Sequence, residues 1–194
     1  ALQSDNMLWR MHGQRLIVEI HATEVLPQLL ALVKNTGVDE IGLNSPAVHA
    51  LWALKGLEMV GTGNANVDEV VLQALKHPAA GVRKAAIQVL PPTESHLERL
   101  LDLDVFADED KRIVLAALLW LTELPSSEFI GNLILQLSKS PQIYEDYWCS
   151  KAVYAAASKH KNATLATLRK EPDFDTFLQP EMKWYAQDPS TWDT

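Results

Sequence analysis

Three features of this sequence predict an all-α fold. Apolar residues recur at i, i+3, i+4 and i+7 along most of its 194 residues. Leu and Ala dominate, Gly is sparse with 8 copies, and β-branched runs are rare, a composition that favours helix. A pattern of small and large apolar residues also returns in register several times. Together these predict an α-solenoid, a right-handed α-α superhelix of about five helix pairs over residues 1–171. Residues 172–194 then form a C-terminal tail that caps the last pair.

The elements follow in order. "DNMLWRMHGQRLIVEI" sets Leu8, Met11, Ile17 and Val18 near one helix face. "EVLPQLLALVKN" is a second helix, with Pro27 tolerated in its first turn. After the polar stretch "NTGVDEIGLNS", Ser45 is placed as N-cap and Pro46 at N1 of "SPAVHALWALKGLEMVG", which Gly61 closes. "NVDEVVLQALKHP" is the next amphipathic helix. "HPAAGVRKAAIQVLPP" follows, with Val82, Ala85, Ala86, Val89 and Leu90 on one side and Pro91 and Pro92 ending it. Thr93 caps "ESHLERLLDL", Asp108 caps "EDKRIVLAALLWLTEL", and Ser126 or Ser127 caps "SEFIGNLILQLSKS". Pro141 breaks the chain before "YEDYWCSKAVYAAASKH" and "NATLATLRKE". That makes ten helices in five pairs, each a longer helix followed by a shorter one.

Four of the longer helices align. Trp52-Ala53, Ala85-Ala86, Ala116-Ala117 and Ala152-Val153 stand 33, 31 and 36 residues apart, and Leu57, Leu90, Leu121 and Ala157 keep the same spacings. The first pair aligns more loosely, through Gly13 to Ile17, after an insertion around residues 35–45. A lone helix pair cannot bury its apolar stripe, whereas stacked pairs bury it against one another. Small residues sit where helices cross closely and larger ones fill the rest of the core. Trp9, Trp52 and Trp120 fall on faces expected in that core.

"HPAAGVRKAAIQVLPP" resembles a HEAT unit: Pro78 in the turn, Val82-Arg83, the small pair Ala85-Ala86, then Leu90. In this reading Arg83 supports the turn between units. A wider resemblance covers most of the chain. "LWRMHGQRLIVE", "SPAVHALWALKGLEMVG", "HPAAGVRKAAIQVLP" and "EDYWCSKAVYAAASKH", in that order, are similar to the HEAT-repeat region of large bacterial multidomain proteins. Those proteins join a sugar-dehydrogenase-type β-propeller to a C-terminal cytochrome c domain. Trp9, Arg10, Gln14, Arg15 and Leu16 match the helix that opens the region in that family. The resemblance implies a bacterial periplasmic or cell-envelope protein, with this segment acting as spacer or docking element. It implies no catalytic residue here, because the family's redox chemistry lies in the flanking domains. This chain has neither a Cys-x-x-Cys-His haem site nor a propeller.

Charge and composition restrict the function classes. The net charge is −8 and the pI about 5.2, a poor basis for neutralising phosphates. The longest basic cluster is Lys159, His160 and Lys161. One cysteine, Cys149, rules out an internal disulfide framework. No apolar run reaches 18 residues, and "ALQSDNMLWR" lacks a signal-peptide pattern. A start at Ala1 rather than Met suggests processing or a piece of a longer chain.

The candidate chemistry reduces mostly to architecture. None of the six histidines pairs with another at i, i+3 or i+4. Glu19, His21 and Glu24 read as a solvated turn rather than metal ligands. "DLDVFADEDK" fails as a calcium loop, because Ala107 and Ile113 occupy the positions that need Gly and Glu. "GTGNAN" reads as a cap and connector, having no preceding strand and no third Gly. Cys149 reads as a buried thiol without a neighbouring base. "NAT" at 162–164 is a sequon without expected consequence in a bacterial chain. Trp184, Tyr185 and Trp192 are expected to pack with the tail on the last repeat.

The function expected is therefore a non-catalytic scaffold, with no cofactor and no metal. Its partners would be neighbouring domains or another protein, and not nucleic acid. The second helix of each pair is expected to line the contact face, through Glu69, Gln73, Lys76, Glu98, Asn132, Gln136 and Lys139. Two other readings rank below it: a HEAT-like DNA glycosylase or nucleic-acid binder, and a bilin lyase-like solenoid.

Overall fold

The computed structural model describes residues 1–170. Among these residues the regular structure is entirely helical. The α-helices are α1 (Met7–Glu19), α2 (Leu26–Lys34), α3 (Ser45–Gly56), α4 (Ala65–Ala74), α5 (Ala80–Val89), α6 (Glu94–Asp102), α7 (Lys111–Leu121), α8 (Glu128–Ser138), α9 (Pro141–Tyr144), α10 (Tyr147–Lys159) and α11 (Lys161–Leu168). Short 3-10 turns occupy Thr23–Val25 and Val105–Ala107. None of the helices is long and apolar enough to cross a membrane. All ten helices expected from periodicity are present, and α9 is an additional short one. The chain divides into two compact units, the first Ala1–Trp120 and the second beginning at Leu121. The tail, with Trp184, Tyr185 and Trp192, lies outside the described residues.

In the first unit α3 is the central element: α1, α2 and α5 all pack on it, and α4 packs on both α2 and α5. Leu51, Leu54, Ile87, Leu97 and Leu100 are fully buried. The aligned small residues Ala53, Ala85 and Ala86 are buried too, as are the anchors Leu57 and Leu90. Close crossing is visible at Gly56, where an added Cβ would lie 2.5 Å from Cγ2 of Val18 on α1. Trp120 is buried and donates its indole N–H to the Leu90 carbonyl at 2.9 Å. Trp52 is half-buried, with the Lys55 ammonium 5.4 Å from its ring centre.

Four local expectations are corrected. The cap of α3 is Asn44, whose Oδ1 accepts from Ala47 N–H at 3.1 Å. Ser45 is already helical, and Pro46 costs no hydrogen bond because the first-turn N–H groups have no helical acceptor. Gly61 does not close α3, which ends at Gly56. Gly61 serves the following turn, with φ +74 and its N–H donated to Asp68 Oδ1 at 2.7 Å; a Cβ there would strike the Pro91 ring. Asp110, not Asp108, stands just before α7 and accepts the Arg112 N–H at 2.9 Å. Trp9, Leu8 and Met11 lie on the surface, 61%, 57% and 51% exposed, while Ile17 and Val18 are half-buried. The helical pattern of α1 is correct, but α1 leans chiefly on α3, so much of its circumference remains open.

The loop between α2 and α3 is built rather than loose. Asn44 Nδ2 donates to the carbonyls of Asn35 at 2.6 Å and Gly37 at 2.9 Å. Buried His77 accepts the Ala79 N–H at Nδ1, 2.9 Å, so its hydrogen sits on Nε2, which donates to Asn35 O at 3.0 Å. In that tautomer Nε2 and the Asn44 amide nitrogen, 3.4 Å apart, are both donors and form no bond. Asp39 Oδ1 accepts from Ile41 N–H and Leu43 N–H, closing the loop tip.

In the second unit α8 packs on α10 and α11. Ala152, Val153 and Ala157, aligned with the small residues and anchors of the first unit, are buried. A Cβ on Gly131 would lie 2.6 Å from the carbonyl carbon and oxygen of Ala163, so only glycine allows this approach of α8 to the α11 backbone. Pro141 opens α9 rather than simply breaking the chain. His160 Nε2 donates to Leu121 O at 2.8 Å, tying the α10–α11 junction to the first residue of this unit.

Candidate functional site

The expected contact residues divide between the units. In the first, Glu69 and Gln73 project from α4, and both are exposed. One turn apart, they join to each other, Gln73 Nε2 donating to Glu69 Oε1 at 3.0 Å. Lys76 is exposed but lies in the turn after α4, and Glu98 is exposed on α6. In the second unit Asn132 and Gln136 are exposed on α8, while Lys139 is its C-cap and half-buried. These side chains supply charge and hydrogen-bonding capacity.

Arg83 is the most heavily bonded cation of the first unit. Its Nε and Nη2 each donate to the Asp108 carboxylate at 2.9 Å, as a two-pronged pair with side chains 12% and 14% exposed. Nη1 donates to the carbonyls of His77 at 3.0 Å and Pro78 at 3.2 Å. One guanidinium thus joins the α4–α5 turn to the turn before α7. This is the structural use expected of Arg83, and it leaves little of the group for a ligand.

Asp102, Asp108 and Asp110 of the acidic stretch 102–111 are likewise paired within the chain. Asp102 pairs with Arg99 at 3.5 Å, and Asp108 serves Arg83. Asp110 accepts from the Arg112 guanidinium, which holds its carboxyl at about 2. Glu128 is lowered by its hydrogen bond from Lys170. On the α1–α3 contact, His49 Nδ1 meets Gln14 Oε1 at 2.7 Å. Burial lowers the His49 pKa, and the charge of Arg10 lowers it further. Cys149 is fully buried in α10. Among the described residues no three His, Cys, Asp or Glu side chains gather as a metal site.

Two exposed apolar groups were not expected. One is the surface of α1, with Trp9, Leu16 and Ile20 at helical spacing, 61%, 49% and 69% exposed. The other is the start of α10, where Tyr147 and Trp148 meet edge to face with ring centres 5.1 Å apart, both exposed, and Lys151 lies over the Tyr147 ring. Periodicity locates such residues on a helix but does not show which helix lacks a neighbour.

No family model, curated protein or solved structure matches this chain.

Proposed function

We propose that this chain is a non-catalytic, HEAT-like α-solenoid scaffold whose work is to hold neighbouring domains or a protein partner. The observation that carries this reading is the recurring small-residue pattern at 33, 31 and 36 residues. Its members are buried in both units, apart from the half-buried Trp52. Stacked pairs of this kind present long polar faces, and Glu69, Gln73, Lys76 and Glu98 in one unit and Asn132, Gln136 and Lys139 in the other are the contact residues we assign. The motif resemblance further supports placing the segment in a bacterial envelope protein of the propeller-dehydrogenase and cytochrome c type, as a spacer between redox domains.

Two experiments test this. The reading frame on either side should encode a propeller upstream and a Cys-x-x-Cys-His motif downstream; if both are missing, the redox context is discarded and a solenoid scaffold alone remains. The purified chain should bind at least one such flanking domain in a calorimeter, with affinity reduced about tenfold by paired Glu69→Lys and Glu98→Lys substitutions. Sugar oxidation or another turnover by the isolated chain, abolished by a point mutation, would end the scaffold reading.

A further inference from the structure

The insertion between α2 and α3 departs from the repeat, and it forms one wall of a cleft in the first unit. The cleft measures about 570 Å³, within the range of small-molecule sites. Ser4, Asp5 and Arg10 line it from the N-terminal segment and α1; Asp39, Asn44 and Ser45 line it from the loop and the start of α3. The loop wall is held by the Asn44, His77 and Asp39 hydrogen bonds described above, so the cleft is preformed.

Arg10 is the basic group of this cleft. Its Nη1 is spent on the carbonyls of Ser4 at 2.6 Å and Asp5 at 3.0 Å. Its Nε is sealed from water and has no acceptor. No carboxylate forms an ion pair with it among the described residues, in contrast to Arg83. Nη2 makes no hydrogen bond among the described residues, so it is the donor left for an anion that enters the cleft. An anion there gains a charge-assisted hydrogen bond and supplies the counter-charge that Arg10 lacks. The start of α1 adds a favourable field for an anion.

The same walls carry two carboxylates. Asp39 uses only Oδ1 for the loop, leaving Oδ2, and the Asp5 side chain makes no hydrogen bond or ion pair among the described residues. Two nearby negative charges disfavour a polyanion such as phosphate, and they suit a cation beside the bound carboxylate. We propose that this cleft binds a small zwitterion of the amino-acid class, its carboxylate held by Arg10 and its ammonium group by Asp5 and Asp39.

The test uses the full chain, titrated with each common amino acid and with acetate, methylammonium and inorganic phosphate, by calorimetry and by amide NMR shifts. At least one amino acid should bind and shift the amides of residues 39–45, with acetate, methylammonium and phosphate at least about tenfold weaker. Arg10→Gln should weaken binding by about tenfold or more, and Asp5→Asn by about threefold to tenfold. Because Arg10 also holds the N-terminal segment, Asp5→Asn serves as the variant that leaves the fold untouched, with melting curves run for both. Absence of amino-acid binding, phosphate binding as tight as any amino acid, or affinity unchanged by Asp5→Asn would each overturn the proposal.

Discussion

Helices α1 and α3 are close in length and lie against each other, yet they differ sharply in burial. Of the 13 residues of α1 only Gly13 is buried, whereas α3 buries Ala47, Ala50, Leu51, Ala53 and Leu54 among its 12. Both carry enough apolar residues for a core stripe. The difference is in neighbours: α3 has α1, α2 and α5 around it, and α1 rests chiefly on α3. Amphipathic patterning therefore specifies a helix and a possible core face, while the number of partners decides how much of that face leaves water. A helix with one main neighbour is where the two separate.

Substitutions on the two helices should differ accordingly. Leu54→Ala on α3 removes a side chain with 0% exposure and should cost about 2–5 kcal/mol in urea unfolding. Breaking the clamp on α5 should rank next: Asp108→Ala leaves the Arg83 guanidinium, 12% exposed, without its carboxylate, at a cost of about 3 kcal/mol by the same measurement. Gly56→Ala tests the α1–α3 crossing itself. The new methyl must displace Val18, which should cost about 1–2 kcal/mol, with amide exchange rising in α1 before α3. On the open face of α1, Leu16→Ser should change stability by no more than about 0.5 kcal/mol. A loss comparable to that of Leu54→Ala would show that the α1 face is covered and would remove the contrast.

The smallest effect concerns the turn before α7. The Asp110 carboxyl, held at about 2 by Arg112, is depressed relative to an unfolded value near about 3.9. Its folded-state contribution is present above the unfolded value and is lost as pH falls through about 2. Arg112→Ala should move the Asp110 titration, followed by carboxyl NMR, back toward the ordinary range with little change in stability at neutral pH. An unmoved titration would assign the depression to the backbone hydrogen bond instead.

Much of the helical layout was legible in sequence because its signals are local. Thr93 and Ser127 cap where side-chain oxygen and following apolar run agree, at 3.3 Å to His96 N–H and Ile130 N–H. The cap of α3 was displaced by one residue because Asn44 and Ser45 are both competent, and only the first also reaches the carbonyls of Asn35 and Gly37. Asp108 and Asp110 were equally ambiguous until Arg83, 25 residues earlier, claimed the first. Glu69, Gln73, Glu98, Asn132 and Gln136 could be placed on helices by period alone, whereas Lys76 falls in the turn after α4 and Lys139 is the C-cap of α8. The cleft gave only an indirect sign, the polar stretch between two helical patterns, because its walls come from segments some 30 residues apart.

The sequence by itself determined that this chain is helical and, to within a few residues, where its helices run. Those properties depend on period, propensity and local capping, all readable within a few turns. Tertiary structure alone decided that Trp120 is core and Trp9 is surface, that Arg83 is consumed by Asp108 while Arg10 has no carboxylate partner, and that the loop 35–44 forms a wall. Burial and charge pairing are set by what arrives from elsewhere in the chain, and that information is absent from any single window of sequence.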